Sequence, residues 1–170
     1  MGMNSIGVRD TVSGSSTNGK LPINVNKLAV FAIKKDFGDH IEAYFLESLF
    51  KKGYEVASRA DLPIVSQEIA FQQSGNTAGT AAELGRILKT DAVLLVDITE
   101  YIADRNQPMR LSMSARLVAV ESSKIIWINS KSYNPSLLEM VVKIPIAILA
   151  VGNNELDSLS NSILADFPDK

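Results

Sequence analysis

The chain has 170 residues, 46% of them apolar and 21% charged, the composition of an ordinary globular protein with room for one core. Its net charge is −2 and it has no block of five or six like charges, so we expect no nucleic-acid partner, which would require a basic patch. The absence of cysteine excludes disulfides, thiolate metal sites and cysteine nucleophiles from this sequence. The sequence contains no run of 18 or more uncharged apolar residues, so no transmembrane helix is predicted.

The first part of the chain, residues 1–24, is rich in serine, threonine, asparagine and glycine. Such a segment buries too little apolar area to offset the entropy of ordering it, so we predict a flexible leader or tether. The spacing from Gly14 to Lys20 matches a phosphate-binding loop, but Leu21 follows where Ser or Thr is needed, and no strand precedes. A linker is therefore favoured, followed by a single α/β domain at residues 25–170.

Apolar periodicity predicts the elements of the first half of the domain. In chain order these are a strand at 27–33, a helix at 39–52, a strand at 54–58, and helices at 61–73 and 80–89. Asp36 or Asp39 is predicted to cap the first helix, and Gly53 to end it after two lysines. Thr80 and Glu83 have the spacing of a capping box.

The second half of the domain contains the most apolar strand, Ala92–Val96 within 91–101, whose lack of alternation predicts that both faces are covered. Two alternating, half-exposed strands are predicted at 110–120 and 124–133, joined by a tight turn at Ser122-Ser123. An apolar segment and a last helix from about Asn153 complete the chain. The predicted fold is α/β, a mixed β-sheet flanked by helices in the order β-α-β-α-α-β-β-β-α.

Four motifs occur in the order and spacing of a known superfamily. They are Val56-Ala-Ser-Arg59-Ala-Asp-Leu62, Ile64-Val-Ser-Gln-Glu68-Ile with Phe71-Gln-Gln-Ser-Gly75, Ala81-Ala-Glu-Leu-Gly85-Arg-Ile-Leu-Lys-Thr-Asp91, and Ser114-Ala-Arg116-Leu-Val-Ala-Val-Glu121 with Ile125-Ile126-Trp127. Over residues 27–134 the chain thereby resembles the curli secretion channel (CsgG-like) superfamily. That superfamily includes small periplasmic lipoproteins without membrane hairpins, the LpoB-like proteins that activate penicillin-binding proteins.

The chain departs from the channel members where they carry membrane-crossing hairpins. Residues 102–109 are too few for two transmembrane strands, each of which needs about 9–11 residues. The segment after Tyr133 contains Glu139, Lys143 and Pro145 and lacks the alternation of barrel strands. The resemblance therefore implies a non-pore relative of the LpoB-like lipoproteins, located in the periplasm and anchored to the outer membrane through a lipid on a cysteine outside this sequence.

A possible partner or oligomer surface is predicted at the end of the late strands and beyond. Its residues are Trp127, Tyr133, Leu137, Leu138, Val141, Val142, Ile146 and Ile148. Trp127 and Tyr133 project from the same strand face; packing under a helix is the default interpretation, and an exposed binding patch is the alternative. The apolar segment 137–151 is interpreted as a buried helix, a surface that docks on a membrane or sister subunit, or a segment that a partner orders.

No catalytic, cofactor or metal residues are predicted. His40 lies near Asp36, Asp39 and Glu42, but metal sites need several convergent ligands, so a solvated side chain in the first helical turn is favoured.

Three functional hypotheses remain. The first is a non-enzymatic periplasmic accessory or assembly factor that binds another envelope protein. The second is a homo-oligomeric scaffold or ring subunit of a secretion or envelope complex. The third is a small-molecule-binding α/β enzyme, which requires convergent polar groups at the carboxyl ends of the strands.

Overall fold

A computed structural model describes residues 8–9, 20–33, 37–63, 78–102, 106, 110–133 and 153–170. These ranges contain six strands and three α-helices: β1 (Val8–Arg9), β2 (Lys27–Ala32), α1 (Gly38–Lys51), β3 (Glu55–Ala57), α2 (Ala78–Ile87), β4 (Ala92–Ile102), β5 (Arg110–Ala119), β6 (Ile125–Tyr133) and α3 (Asn153–Ala165). The predicted fold class, a mixed sheet flanked by helices, is confirmed.

The strands form one sheet in the order β1-β6-β5-β4-β2-β3. β2 pairs in parallel with β3 and β4, whereas β4, β5, β6 and β1 pair antiparallel in succession. β4 lies inside the sheet, and its residues 92–96 are at most 2% exposed, so the prediction that both faces of this strand are covered is confirmed. β4, β5 and β6 continue beyond the last paired residue of β2, Ala32, and form a projecting three-stranded ribbon.

Two apolar cores lie on opposite faces of the sheet. On one face α1 and α3 bury their apolar stripes, including Phe45 and Ile163, against Leu94 and Leu117. On the other face α2 covers Phe31, Leu95 and Val118. β5 contributes to both cores because its apolar/polar alternation ends at Leu117, after which Val118 faces the second core while Leu117 and Ala119 face the first.

The position of α2 depends on Gly85, which lies against the sheet. A Cβ atom at this position would be 2.4 Å from Cγ2 of Val120 and 2.8 Å from Cγ2 of Val93. Such distances are well inside van der Waals contact, so only glycine allows the helix to approach the strands this closely. This explains in physical terms why glycine stands in the motif Ala81–Asp91.

Both ends of α1 lie within one residue of the predicted limits, but the predicted cap is wrong. Gly53 has φ of 96° directly after the helix, as a glycine end requires. The helix begins after Phe37, which has φ of 65° and provides no side-chain cap, and Asp39 lies in the first turn. The cap predicted at Asp39 is therefore wrong, and Asp36 lies outside the described residues.

The capping box predicted at Thr80 is also wrong, because α2 already begins at Ala78. A capping box does form at Ser58, whose backbone N–H donates to Oδ2 of Asp61 at 2.7 Å. It starts a 3₁₀ turn, Arg59–Asp61, which ends at the residue where the predicted α-helix begins.

The helix predicted at 61–73 does not continue from that turn. Leu62 is extended, with φ of −76° and ψ of 147°, because the ring of Pro63 disfavours helical geometry in the residue before it. Residues 64–73 of this prediction lie outside the described residues, as does the apolar segment 134–152. Within the predicted leader, Val8 and Arg9 pair with β6.

Candidate interaction surface

Trp127, predicted as a possible surface residue, lies in the core. It is 5% exposed, and its ring meets that of Phe167 edge-on, with centroids 5.0 Å apart and planes at 81°. Tyr54 contacts the same phenylalanine at 5.6 Å. The structure therefore places Trp127 in the core on the face of the sheet that α1 and α3 cover.

The C-terminal residues hold Phe167 in this position. Nζ of Lys52 donates to the carbonyl oxygen of Phe167 at 3.0 Å and to Oδ1 of Asp169 at 2.7 Å. The hydroxyl of Tyr54 donates to the carbonyl oxygen of Pro168 at 2.9 Å, and burial raises the pKa of this hydroxyl. The end of the chain is thus tied to the corner between α1 and β3, which closes the core over Trp127.

Tyr133 lies at the far end of the projecting ribbon, in one row with two other side chains. Across the strands Tyr133 stands opposite Leu111, and Leu111 stands opposite Tyr101. Residues directly opposed in this way point to the same face. The ring of Phe37 meets Tyr101 at 5.7 Å and 61°. We call Phe37, Tyr101, Leu111 and Tyr133 the distal row.

The distal row is buried in its middle and open at its ends. Leu111 is fully buried, Tyr133 is half-buried against the core, and Tyr101 is 41% exposed. Tyrosine is enriched in protein interfaces because its ring buries a large apolar area while its hydroxyl keeps a polar contact. The distal row is therefore the described part of the chain that best fits a protein-binding surface.

Sequence reasoning missed Tyr101 and Phe37. Simple alternation from Ile98, whose side chain faces α1 and α3, puts Tyr101 on the opposite face of the sheet. The structure has an irregular register between Ile98 and Glu100, which turns Tyr101 to the face of Leu111. No pattern in the sequence marks this irregularity.

His40 joins two helices. Its Nε2 is 2.6 Å from Oδ1 of Asp157, so it links the first turn of α1 to the second turn of α3, and both side chains are about one-third exposed. The predicted solvated side chain is thus only partly exposed and has a partner on α3. In the described ranges, no group of three or more histidine, aspartate and glutamate side chains is arranged to hold a metal ion.

The carboxyl ends of β2 and β3, where α/β proteins often bind ligands, hold an internal ion pair. Nη2 of Arg59 donates to Oε1 of Glu42 at 2.9 Å and to the carbonyl oxygen of Ala32 at 2.8 Å. The backbone N–H of Ala32 donates to the same oxygen of Glu42 at 2.8 Å. Burial raises the pKa of Glu42, against the opposing effects of the Ala32 N–H and of Arg59. Arg59 and Glu42 therefore bind each other and the backbone of Ala32, and we assign them a structural role.

Six residues of the predicted surface, Leu137, Leu138, Val141, Val142, Ile146 and Ile148, lie outside the described residues. Their part in a surface stays a prediction. Across the described ranges, none of the helices has the length and apolar character that crossing a bilayer requires.

No protein-family model and no curated protein matches the chain. Solved structures do match it. A single-residue variant of the PelC dodecamer from Paraburkholderia phytofirmans aligns with TM-score 0.59 and 16% identity over 97% of this chain and 100% of that chain. A second crystal form of the PelC dodecamer from the same organism aligns with TM-score 0.57 and 15% identity over 91% and 96%.

The C-terminal domain of LpoB from Salmonella enterica aligns with TM-score 0.51 and 15% identity, over 67% of this chain and 87% of that chain. Identities this low establish the fold and nothing finer. The LpoB-like part of the sequence resemblance is therefore confirmed at the level of fold: the chain has the fold of PelC and of the LpoB C-terminal domain.

Proposed function

We propose that the protein is a non-enzymatic accessory or assembly factor of the bacterial envelope that works by binding other proteins. The observation that carries this proposal is the fold likeness to PelC, which extends over 97% of this chain. The sequence resemblance to the curli secretion channel superfamily supports it. A periplasmic location and a lipid anchor on the outer membrane, reached through the tether at residues 1–24, follow from that resemblance and are part of the proposal.

The distal row supports a binding role because it combines the exposed Tyr101 and the half-buried Tyr133 with a buried apolar centre. Interfaces of this kind draw most of their affinity from a few aromatic anchors surrounded by weaker contacts. The predicted surface residues between Leu137 and Ile148 follow Tyr133 in the chain and remain part of the proposed surface. The enzyme hypothesis has less support, because the carboxyl end of β2 is filled by Arg59 and Glu42.

Site-specific photo-cross-linking in the envelope of the producing bacterium tests the binding role. A photo-reactive phenylalanine analogue replaces Tyr101, and in a matched control it replaces Phe50, which is 68% exposed at the opposite end of α1. We expect a protein adduct of discrete mass from position 101, lost when Tyr133→Ser is added, and no such adduct from position 50. Identical adducts from both positions, or none from position 101, would contradict the proposal.

A second candidate function is that of a homo-oligomeric ring or scaffold subunit. The observation in its favour is that PelC, which matches along its whole length, was solved as a dodecamer. The two candidates are compatible, since a ring can be the platform on which an envelope partner binds. The mass of the protein in solution distinguishes a ring subunit from an accessory factor that acts as a monomer.

A further inference from the structure

The described residues pair with only part of the outer edge of β6. β6 has nine residues, and among the residues that the structure describes only the two of β1 pair with its outer side. Val8 stands opposite Lys131, and Arg9 stands opposite Ser130. An edge strand presents unpaired backbone N–H and C=O groups and can accept another extended segment.

Lys131 restricts what this edge accepts. Its side chain is 11% exposed and points inward, where Nζ lies 2.8 Å from Oδ2 of Asp166 at the end of α3. Charged residues that point inward on an edge strand oppose indiscriminate strand addition. β1 nevertheless pairs at this residue in a defined register, so the edge accepts this segment despite the charge.

The connection between β1 and β2 is longer than the fold needs. Arg9 and Lys27 are four strand spacings apart, roughly 19 Å across the sheet, and about six residues apart along the strands, so they lie on the order of 28 Å from each other. The connection, residues 10–26, can span about 56 Å when extended. It can therefore carry β1 to the β6 edge of a neighbouring copy as well as to that of its own chain.

We propose that the β6 edge is a strand-addition site and that its occupant in the assembled protein is the N-terminal strand of a second copy. This rests on the homo-oligomeric candidate function. The N-terminal strand of a second copy fits the β6 edge because it has the same sequence, and can take the same register, as the strand that pairs there within one chain. Exchange of an identical element between copies costs little because every contact is remade.

Cysteine trapping tests the exchange, and the absence of native cysteine makes the background clean. Two full-length single variants, Arg9→Cys and Ser130→Cys, are produced together in one cell with tags of different mass and then mildly oxidised. Opposed residues in an antiparallel pair have Cα atoms about 4.5–5.5 Å apart, within the range of a disulfide. Val8→Cys with Lys131→Cys provides the neighbouring pair. One of the two pairs is hydrogen-bonded and the other is not, so both kinds of opposed pair in the ladder are tested.

We expect a disulfide between positions 9 and 130 of two different chains, identified by mass spectrometry of the linked peptides. Arg9→Cys with Glu47→Cys, an exposed position on α1, is the control and should give at least tenfold less cross-linking. The double variant Arg9→Cys/Ser130→Cys shows whether the strand closes on its own chain.

Light scattering on the same samples distinguishes failure of the strand exchange from failure of the homo-oligomeric candidate function. A multimer whose Arg9→Cys/Ser130→Cys chains close only within themselves would overturn the strand exchange and leave the homo-oligomer standing. A monomer that forms no disulfide between chains would overturn both.

Discussion

Arg59 and Glu42 form an ion pair of 2.9 Å in which the side chains are only 7% and 12% exposed. The pair joins the 3₁₀ turn after β3 to the first half of α1, and both partners also bind the backbone of Ala32 at the end of β2. The arginine also lies 5.5 Å over the ring of Phe31. One residue of the motif Val56–Leu62 thus connects three elements of the fold.

Removing one partner of this pair should be costly, because the other charge would stay buried without its counterion. We predict that Arg59→Met lowers the free energy of unfolding by about 3–5 kcal/mol, and that the double variant Arg59→Met/Glu42→Leu loses clearly less. Denaturant unfolding followed by the fluorescence of Trp127, the one tryptophan of the chain, measures both. If the double variant lost as much stability as Arg59→Met alone, or more, the pair would not act as a unit.

Gly85 should not tolerate a methyl group. Gly85→Ala places its Cβ 2.4 Å from Cγ2 of Val120, so α2 must move away from the sheet. We predict a loss of about 1–3 kcal/mol in the free energy of unfolding, the usual cost of overpacking. Gly79→Ala, at an exposed position of the same helix, is the matched control and should be neutral or stabilising. Equal effects of the two substitutions would show that α2 does not depend on this close approach.

Phe167 should be far more important to stability than its position near the chain end suggests. Phe167→Ala removes the ring between Trp127 and Tyr54 and leaves a cavity, so we predict a loss of about 3–5 kcal/mol. Phe50→Ala changes the same residue type at a site that is 68% exposed and should alter stability by less than about 0.5 kcal/mol. Thermal unfolding of both variants checks the contrast, and a small effect at Phe167 would argue that the C-terminal residues are not docked.

Glycine at position 123, in the turn between β5 and β6, should stabilise the protein. Ser123 has φ of 57°, a left-handed conformation that glycine adopts without strain, and its N–H donates to the carbonyl oxygen of Ala119 at 2.9 Å. We predict that Ser123→Gly raises the free energy of unfolding by about 0.5–1 kcal/mol. Ser122→Gly, its neighbour, lacks this strain and should lower stability instead. A lower melting temperature for Ser123→Gly would contradict this account of the turn.

The sequence predicts the fold best where local periodicity carries the signal. Alternation in β5 and its absence in Ala92–Val96 correctly predict one half-covered and one fully covered strand. Helix caps are harder to predict from the sequence. Thr80 and Ser58 both begin sequences typical of a capping box, but only Ser58 forms one, because α2 already begins at Ala78.

The candidate surface is the part that sequence reasoning predicted least well. Trp127 is buried by Phe167, which lies 40 residues further along the chain, and no local pattern shows that contact. Tyr101 faces Leu111 and Phe37 because of a register irregularity in β4. The burial of Trp127 and the orientation of Tyr101 both depend on packing between distant parts of the chain, which the periodicity of the sequence does not show.

Self-assembly of the chain, the claim on which the ring candidate and the strand exchange both depend, is tested most directly by the molar mass of the purified protein, measured by light scattering over a hundredfold range of concentration. If the chain assembles with itself, the mass should be at least twice the 18.4 kDa of one chain. Tyr101→Ser should lower that mass, whereas Phe50→Ser should leave it unchanged. A mass of 18.4 kDa for the wild-type protein at every concentration would contradict assembly of this chain with itself.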